Sequence, residues 1–265
     1  MKKTKTFINI LEVVALSMAS QAALATCDDI VAAFTPVAPL VLAVVGAPDN
    51  GGYGLPMWVA AVDETGKVCG IVNSAGSGAA IGNKSWLGSR VIAVQKATTA
   101  NAFSLDAFSI STANLYGLTQ PGGSLFGLQH SNPVDASIAY LGSPDTYGTG
   151  NDPLVGQRVG GVNVFGGGLA LYNHDGKKVG AIGVSGDTSC TDHAVAWKMR
   201  HVMDFDHVVP GGFVSGYTPA PAFTVLGDEM IIGAGDVANT YKQVSCAHNA
   251  INNPTAGAAT GVIIE

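Results

Sequence analysis

Residues 166–186 constrain the fold more than any other stretch of this chain. Gly166, Gly167 and Gly168 interrupt an extended run, with residues 162–165 before them and 169–173 after them both reading as strand. Asp175-Gly176 is a hairpin turn of the kind that matches the twist of its flanking strands, and 177–184 is the return strand. A second hairpin lies upstream. Residues 57–62 and 67–73 alternate or run apolar around Asp63-Glu64-Thr65-Gly66, where glycine accepts a positive φ and aspartate bonds its own backbone.

Each hairpin leads towards a helix. Ser85 is placed to cap one that runs to about Phe103, with Leu87, Val91, Val94 and Thr98 at helical spacing. On that reading Arg90, Gln95 and Lys96 serve the wetter face, while Ala93, Ala97 and Ala100 allow close approach to a sheet. Thr191 or Asp192 would cap a later helix carrying Ala194, Trp197, Met199 and His201. Trp58, Trp86 and Trp197 all fall in regular elements and read as core or subunit interface. Residues 104–157 hold turn signals such as Ser143-Pro144-Asp145 and little periodicity, which suits a functional or interfacial segment. After about Met203 the chain is rich in proline and glycine, with short apolar runs at 223–226 and 230–232.

The beginning of the chain indicates its compartment. Lys2, Lys3 and Lys5 precede a short apolar stretch, and Ala23-Leu24-Ala25 fits signal-peptidase cleavage, so 1–25 reads as a signal peptide and Thr26 as the mature start. The apolar stretch falls short of the roughly 20 residues needed to span a bilayer. Thr26 before Cys27 fits a lipobox poorly. Residues 30–45 are apolar but broken by Pro36 and Pro39, so no integral membrane segment is expected after cleavage. The expected location is periplasmic or secreted.

An oxidising compartment suits Cys27, Cys69, Cys190 and Cys246 as disulfides, and no CxxC pair points to zinc. Four cysteines allow three pairings. Cys27–Cys69 with Cys190–Cys246 would tie each chain end to the core, and the other two remain open. Only 12% of residues are charged, against about 25% in an ordinary soluble domain. That composition fits a homo-oligomer, and fits equally a monomer with a large core. A net charge of −6 without a Lys/Arg run to neutralise phosphates argues against a nucleic-acid partner.

Five elements in order carry a family resemblance: Val62-Asp63 with Gly66; Lys96-Ala97-Thr98-Thr99-Ala100 with Phe103; Gly166 to Tyr172; Val179-Gly180-Ala181-Ile182-Gly183-Val184-Ser185-Gly186; and Asp192 leading the last helix. This pattern resembles the GlcG/HbpS family of haem-binding proteins. The resemblance covers about 57–202, with an insertion at about 130–158 and a C-terminal extension over about 203–265, in one domain from 26 to 265. It implies an α+β, profilin-like fold with about five antiparallel strands flanked by helices. It also implies a homo-oligomer and haem, bound or degraded, as cofactor. Other members accompany glycolate or diol metabolism, so fold follows from the resemblance more directly than function.

Some members take a haem ligand from a histidine near the first helix, and this chain has none before His130. His193, at the start of the last helix beside the glycine-rich strand, and His130, in the insertion, are the axial-ligand candidates; haem iron is commonly held by histidine in an apolar pocket. His193 read without haem is a histidine making ordinary hydrogen bonds, and His174 an exposed turn residue. His201, Asp204, Asp206 and His207 group closely enough to be metal ligands, or a solvated stretch after a helix. Gly183-Val184-Ser185-Gly186-Asp187 lacks the glycine that a serine-hydrolase elbow requires, since Asp187 stands there. No catalytic pair is evident, so the chain is read as a binding protein for haem or another small hydrophobic ligand. The alternatives are a periplasmic enzyme or binding protein for a small organic acid, and a non-catalytic oligomeric structural protein.

Overall fold

The computed structural model describes residues 26–106, 108–208, 227–232, 241–243, 246 and 262–264. Two helices, α1 (Cys27–Val37) and α2 (Val41–Val45), precede the first hairpin, β1 (Trp58–Asp63) and β2 (Val68–Asn73). Helix α3 (Gly88–Phe103) follows, and then three short helices: α4 (Leu115–Thr119), α5 (Leu128–Ser131) and α6 (Ala136–Ala139). The second hairpin is β3 (Gly168–Tyr172) and β4 (Lys178–Ser185), leading into α7 (Ser189–Val202). Strands β5 (Met230–Ile232), β6 (Lys242–Gln243) and β7 (Val262–Ile264) complete the described elements.

Both hairpins close as their turn residues require. Gly66 and Gly176 take φ of 76° and 68°, a region that carries little penalty only for glycine. Asp63 Oδ1 accepts from the Thr65 and Lys67 amides, and Asn173 Oδ1 from those of Asp175 and Lys177. The hairpins join through β1 and β4 into one antiparallel sheet of order β2-β1-β4-β3. Among the described residues the central sheet therefore has four strands, one fewer than the resemblance implies. Residues 162–165 do not form a strand, because side chains take up their backbone groups: the Asn163 amide donates to Thr99 Oγ1, and the Phe165 carbonyl accepts from Thr112 Oγ1. Strands β6, β5 and β7 make a separate parallel sheet.

Strand alternation divides the core into two layers. Trp58, Ala60 and Val62 point to one face with Ala93, Val94, Ala97 and Ala100 of α3. Val59, Ala61, Leu169, Leu171, Ile182 and Val184 point to the other, against Val195, Ala196 and Met199 of α7 and Ile30 and Phe34 of α1. Helix α3 lies so close to β4 that a Cβ on Gly183 would sit 1.9 Å from the Ala93 carbonyl oxygen. Disulfides join Cys27 to Cys69 and Cys190 to Cys246, tying α1 to β2 and α7 to the C-terminal region. Trp58 is fully buried, whereas Trp86 is 58% exposed and belongs to no core layer. Helix α3 begins at Gly88 without a side-chain cap, and α7 is capped by Thr188 rather than by Thr191 or Asp192.

Among the described residues no single helix is long and apolar enough to cross a membrane. The bent pair Cys27–Pro36 and Ala38–Val45, kinked by 45°, comes nearest. Residues 1–25, the apolar run at 223–226 and His248 lie outside the described residues.

Candidate functional site

Helix α3 carries two cations into the interior, where the amphipathic reading put them on the wetter face. Arg90 and Lys96 are both fully buried, and each is neutralised by a carboxylate, as a buried charge must be. Arg90 pairs with Asp152 through Nε at 3.0 Å and through Nη2, and its guanidinium lies 3.7 Å from the centre of the Tyr147 ring. This pair anchors the insertion to α3. Lys96 Nζ lies 2.6 Å from Asp192 Oδ2 and donates to the Val184 carbonyl at 2.9 Å. The other Asp192 oxygen accepts from the Asp187 amide at 3.0 Å.

A signal for this burial was present in the chain. Lys96 stands three residues after Ala93 and four before Ala100, and so shares the alanine face that packs on the sheet. Both Lys96 and Asp192 also fall in the motifs that carry the family resemblance. Burial lowers the Lys96 pKa despite the Asp192 charge, and raises that of Asp192 to about 6 despite Lys96.

The three glycines make room for this pair. A Cβ on Gly167 would lie 2.5 Å from the Val184 carbonyl oxygen, 2.9 Å from Asp192 Cβ and 3.0 Å from Lys96 Nζ. A Cβ on Gly166 would meet Met230 Cε at 2.0 Å and His193 Cβ at 3.1 Å. His193 is thus fully buried in the first turns of α7, its ring 6.3 Å from that of Trp197, with β5 nearby. A third buried pair, Arg200 with Asp228 at 2.6 Å, fastens the residues before β5 to α7. Burial would raise the Asp228 carboxyl, but the Arg200 charge and hydrogen bonds outweigh it and the pKa falls. Full burial means that a porphyrin reaches His193 only if the elements packed around it move.

His130 is different. It is exposed on α5, in the same turn as Leu128. The apolar cluster to which Leu128 belongs is open to solvent in part: Phe103, Phe108, Leu118, Leu125, Leu128 and Val162 are half-buried over Ile110, Leu115 and Val164. Phe126, next to Leu125, is 62% exposed. His130 is thus an accessible imidazole on the same short helix as Leu128, one member of that cluster. A cleft lined by Leu55, Pro56, Lys84, Ser85, Trp86 and Gly186 holds about 140 Å³, below the roughly 300 Å³ at which ligand pockets begin, and does not fit haem.

The four residues grouped as metal ligands separate into two sets. His201 Nδ1 pairs with Asp206 at 2.6 Å. Asp204 instead lies between His207 and His174, and His174 is the member that sequence spacing did not bring in. Ser185 is a buried strand end, and Asp187 accepts from the Tyr53, Leu55 and Thr188 amides. It is a loop anchor.

The four-stranded sheet, with a helix on each face and a glycine-lined buried pair at one end, defines a profilin-like α+β domain. Within that class the chain belongs to the HbpS-like family: residues 41–200 match the family of haem degrading protein HbpS-like. Solved structures similar to it include the following two. A PduOC–haem complex is 22% identical, with a TM-score of 0.43, covering 68% of this chain and 94% of its own. Klebsiella pneumoniae protein ORFY, of family DUF336, is 20% identical, with a TM-score of 0.44, covering 70% and 94%. No curated protein matches the chain significantly.

Proposed function

We propose that this protein is an exported haem-binding protein that holds haem on the open apolar cluster beside α5, with His130 as the axial ligand. Membership of the HbpS-like haem-degrading family carries the reading. The exposure of His130, on the same short helix as Leu128 of the half-buried apolar cluster, against the full burial of His193 supports the choice of site over His193. Bound there, haem would supply the iron centre. The chain's part is to bury one porphyrin face against Phe103, Phe108 and Leu128 and to offer a nitrogen ligand at its edge. Burial of apolar area at about 25 cal/mol per Å² provides most of the affinity.

The positively charged, apolar start of the sequence and the two disulfides support export to an oxidising compartment, periplasmic or extracellular. The low charge content and the exposed Trp86, Leu87, Tyr140 and Leu141 support a homo-oligomer. Titration with haemin, followed at the Soret band in wild type, His130→Ala and His193→Ala, tests the site. Weaker binding with an altered Soret position in His130→Ala alone is the expected result, and wild type without saturable binding overturns the proposal.

A further inference from the structure

The β3–β4 turn and the segment after α7 meet along β3. The Tyr172 amide donates to the Phe205 carbonyl at 2.8 Å, and Tyr172 forms a parallel bridge with Asp206. This pairing sets His174, in the turn, against Asp204 and His207 on the neighbouring segment. His174 Nε2 lies 3.0 Å from Asp204 Oδ2, and His207 Nε2 lies 3.1 Å from Oδ1. The three donor groups fall within 4.8 Å of one another, and the imidazole rings are 4.0 Å apart, tilted by 40°. Two nitrogens from separate elements thus converge on one carboxylate.

Two neutral imidazoles with a carboxylate form a donor set for Zn²⁺, Cu²⁺, Ni²⁺ or Fe²⁺, and a poor one for Mg²⁺ or Ca²⁺, which take oxygen ligands. A tetrahedral ion with bonds of about 2.0 Å keeps its ligand atoms roughly 3.3 Å apart. The two nitrogen–oxygen separations already stand close to that value. The ion would replace two hydrogen bonds with three coordinate bonds, one from each Nε2 and one from an Asp204 oxygen, after each neutral ring moves its proton from Nε2 to Nδ1. The side chains of His174 and Asp204 are 72% and 68% exposed, so the remaining positions face water and the ion enters without unfolding.

We propose that His174, Asp204 and His207 form a binding site for a divalent transition-metal ion of borderline softness, with Zn²⁺ the reference case. The site shares no residue with the haem surface, and the two readings stand or fall separately.

The test uses the purified, tag-free protein with its disulfides intact, and Co²⁺ as the spectroscopic probe. One Co²⁺ per chain is expected to give a visible absorption band that Zn²⁺ displaces. His174→Ala and His207→Ala should each weaken binding at least about tenfold, while His201→Ala and His130→Ala bind as wild type does. His174 is exposed and His207 half-buried, and neither substitution should change the circular dichroism. Absence of stoichiometric Co²⁺ binding, or binding that survives the His174→Ala/His207→Ala double substitution, overturns the proposal. The same double variant should titrate with haemin as wild type does, so failure of one site is distinguishable from failure of the other.

Discussion

Replacing Lys96 by Met leaves the Asp192 carboxyl fully buried, with the Asp187 amide as its remaining described hydrogen-bond partner. Breaking a buried pair by removing one partner costs about 3–5 kcal/mol. At roughly 2–4 °C per kcal/mol for a chain of this size, the melting temperature should fall by about 6–20 °C. The pH dependence carries the sharper information. Asp192 titrates at about 6 in the folded protein and at 3.8 when exposed. Its linkage contribution to stability is therefore fully present below about pH 4 and is lost as pH rises through 6. Without Lys96 the folded pKa rises further, so the penalty of Lys96→Met should grow between pH 6 and 8.

Asp192→Asn does the reverse. Lys96 is already lowered by burial, and without its partner it is lowered more. The stability it contributes is present at high pH and lost as pH falls, so the Asp192→Asn penalty should shrink from pH 6 to 9. The Lys96→Met/Asp192→Asn double variant should lose less than the sum of the two single variants, since neither charge remains buried alone. Urea denaturation with the disulfides intact, at pH 6 and pH 8, measures all of this. Single losses below about 1 kcal/mol, or pH slopes of the same sign, would refute a dry, mutually dependent pair.

Gly183→Ala should be among the most damaging single-methyl additions, because the new Cβ would stand 1.9 Å from a helix carbonyl and only movement of α3 relieves it. We expect a loss of about 3 kcal/mol, at the upper end for overpacking, read as a thermal shift; a change below about 1 kcal/mol would mean that α3 does not lie where it is placed. Light scattering should return a mass of at least two chains in solution, and a monomer at micromolar concentration would remove the oligomer from the account.

Much of the sheet was legible because local chemistry dictates it. Asp63–Gly66 and the Asp175-Gly176 turn each specify a hairpin on their own, and both strand pairs formed within about one residue of expectation. Alanines 93, 97 and 100 announced the close approach of α3. The extended residues 162–165 misled, because strand propensity does not record whether a partner edge exists; here Thr99 and Thr112 claimed the backbone. Arg90 and Lys96 misled because charge normally marks the wet face, and their carboxylate partners stand 62 and 96 residues away. His174 was set aside for the same reason: its turn meets Asp204 only through a strand-edge contact 30 residues further on.

The central claim is that this chain holds haem through His130 on the open cluster beside α5. Haemin titration of wild type, His130→Ala and His193→Ala at the Soret band tests it most directly. The account predicts saturable binding of one haem per chain, an altered Soret position and weaker binding in His130→Ala, and a His193→Ala titration that matches wild type. Loss of binding in His193→Ala with His130→Ala unchanged would contradict it and move the haem to the interior beneath β5.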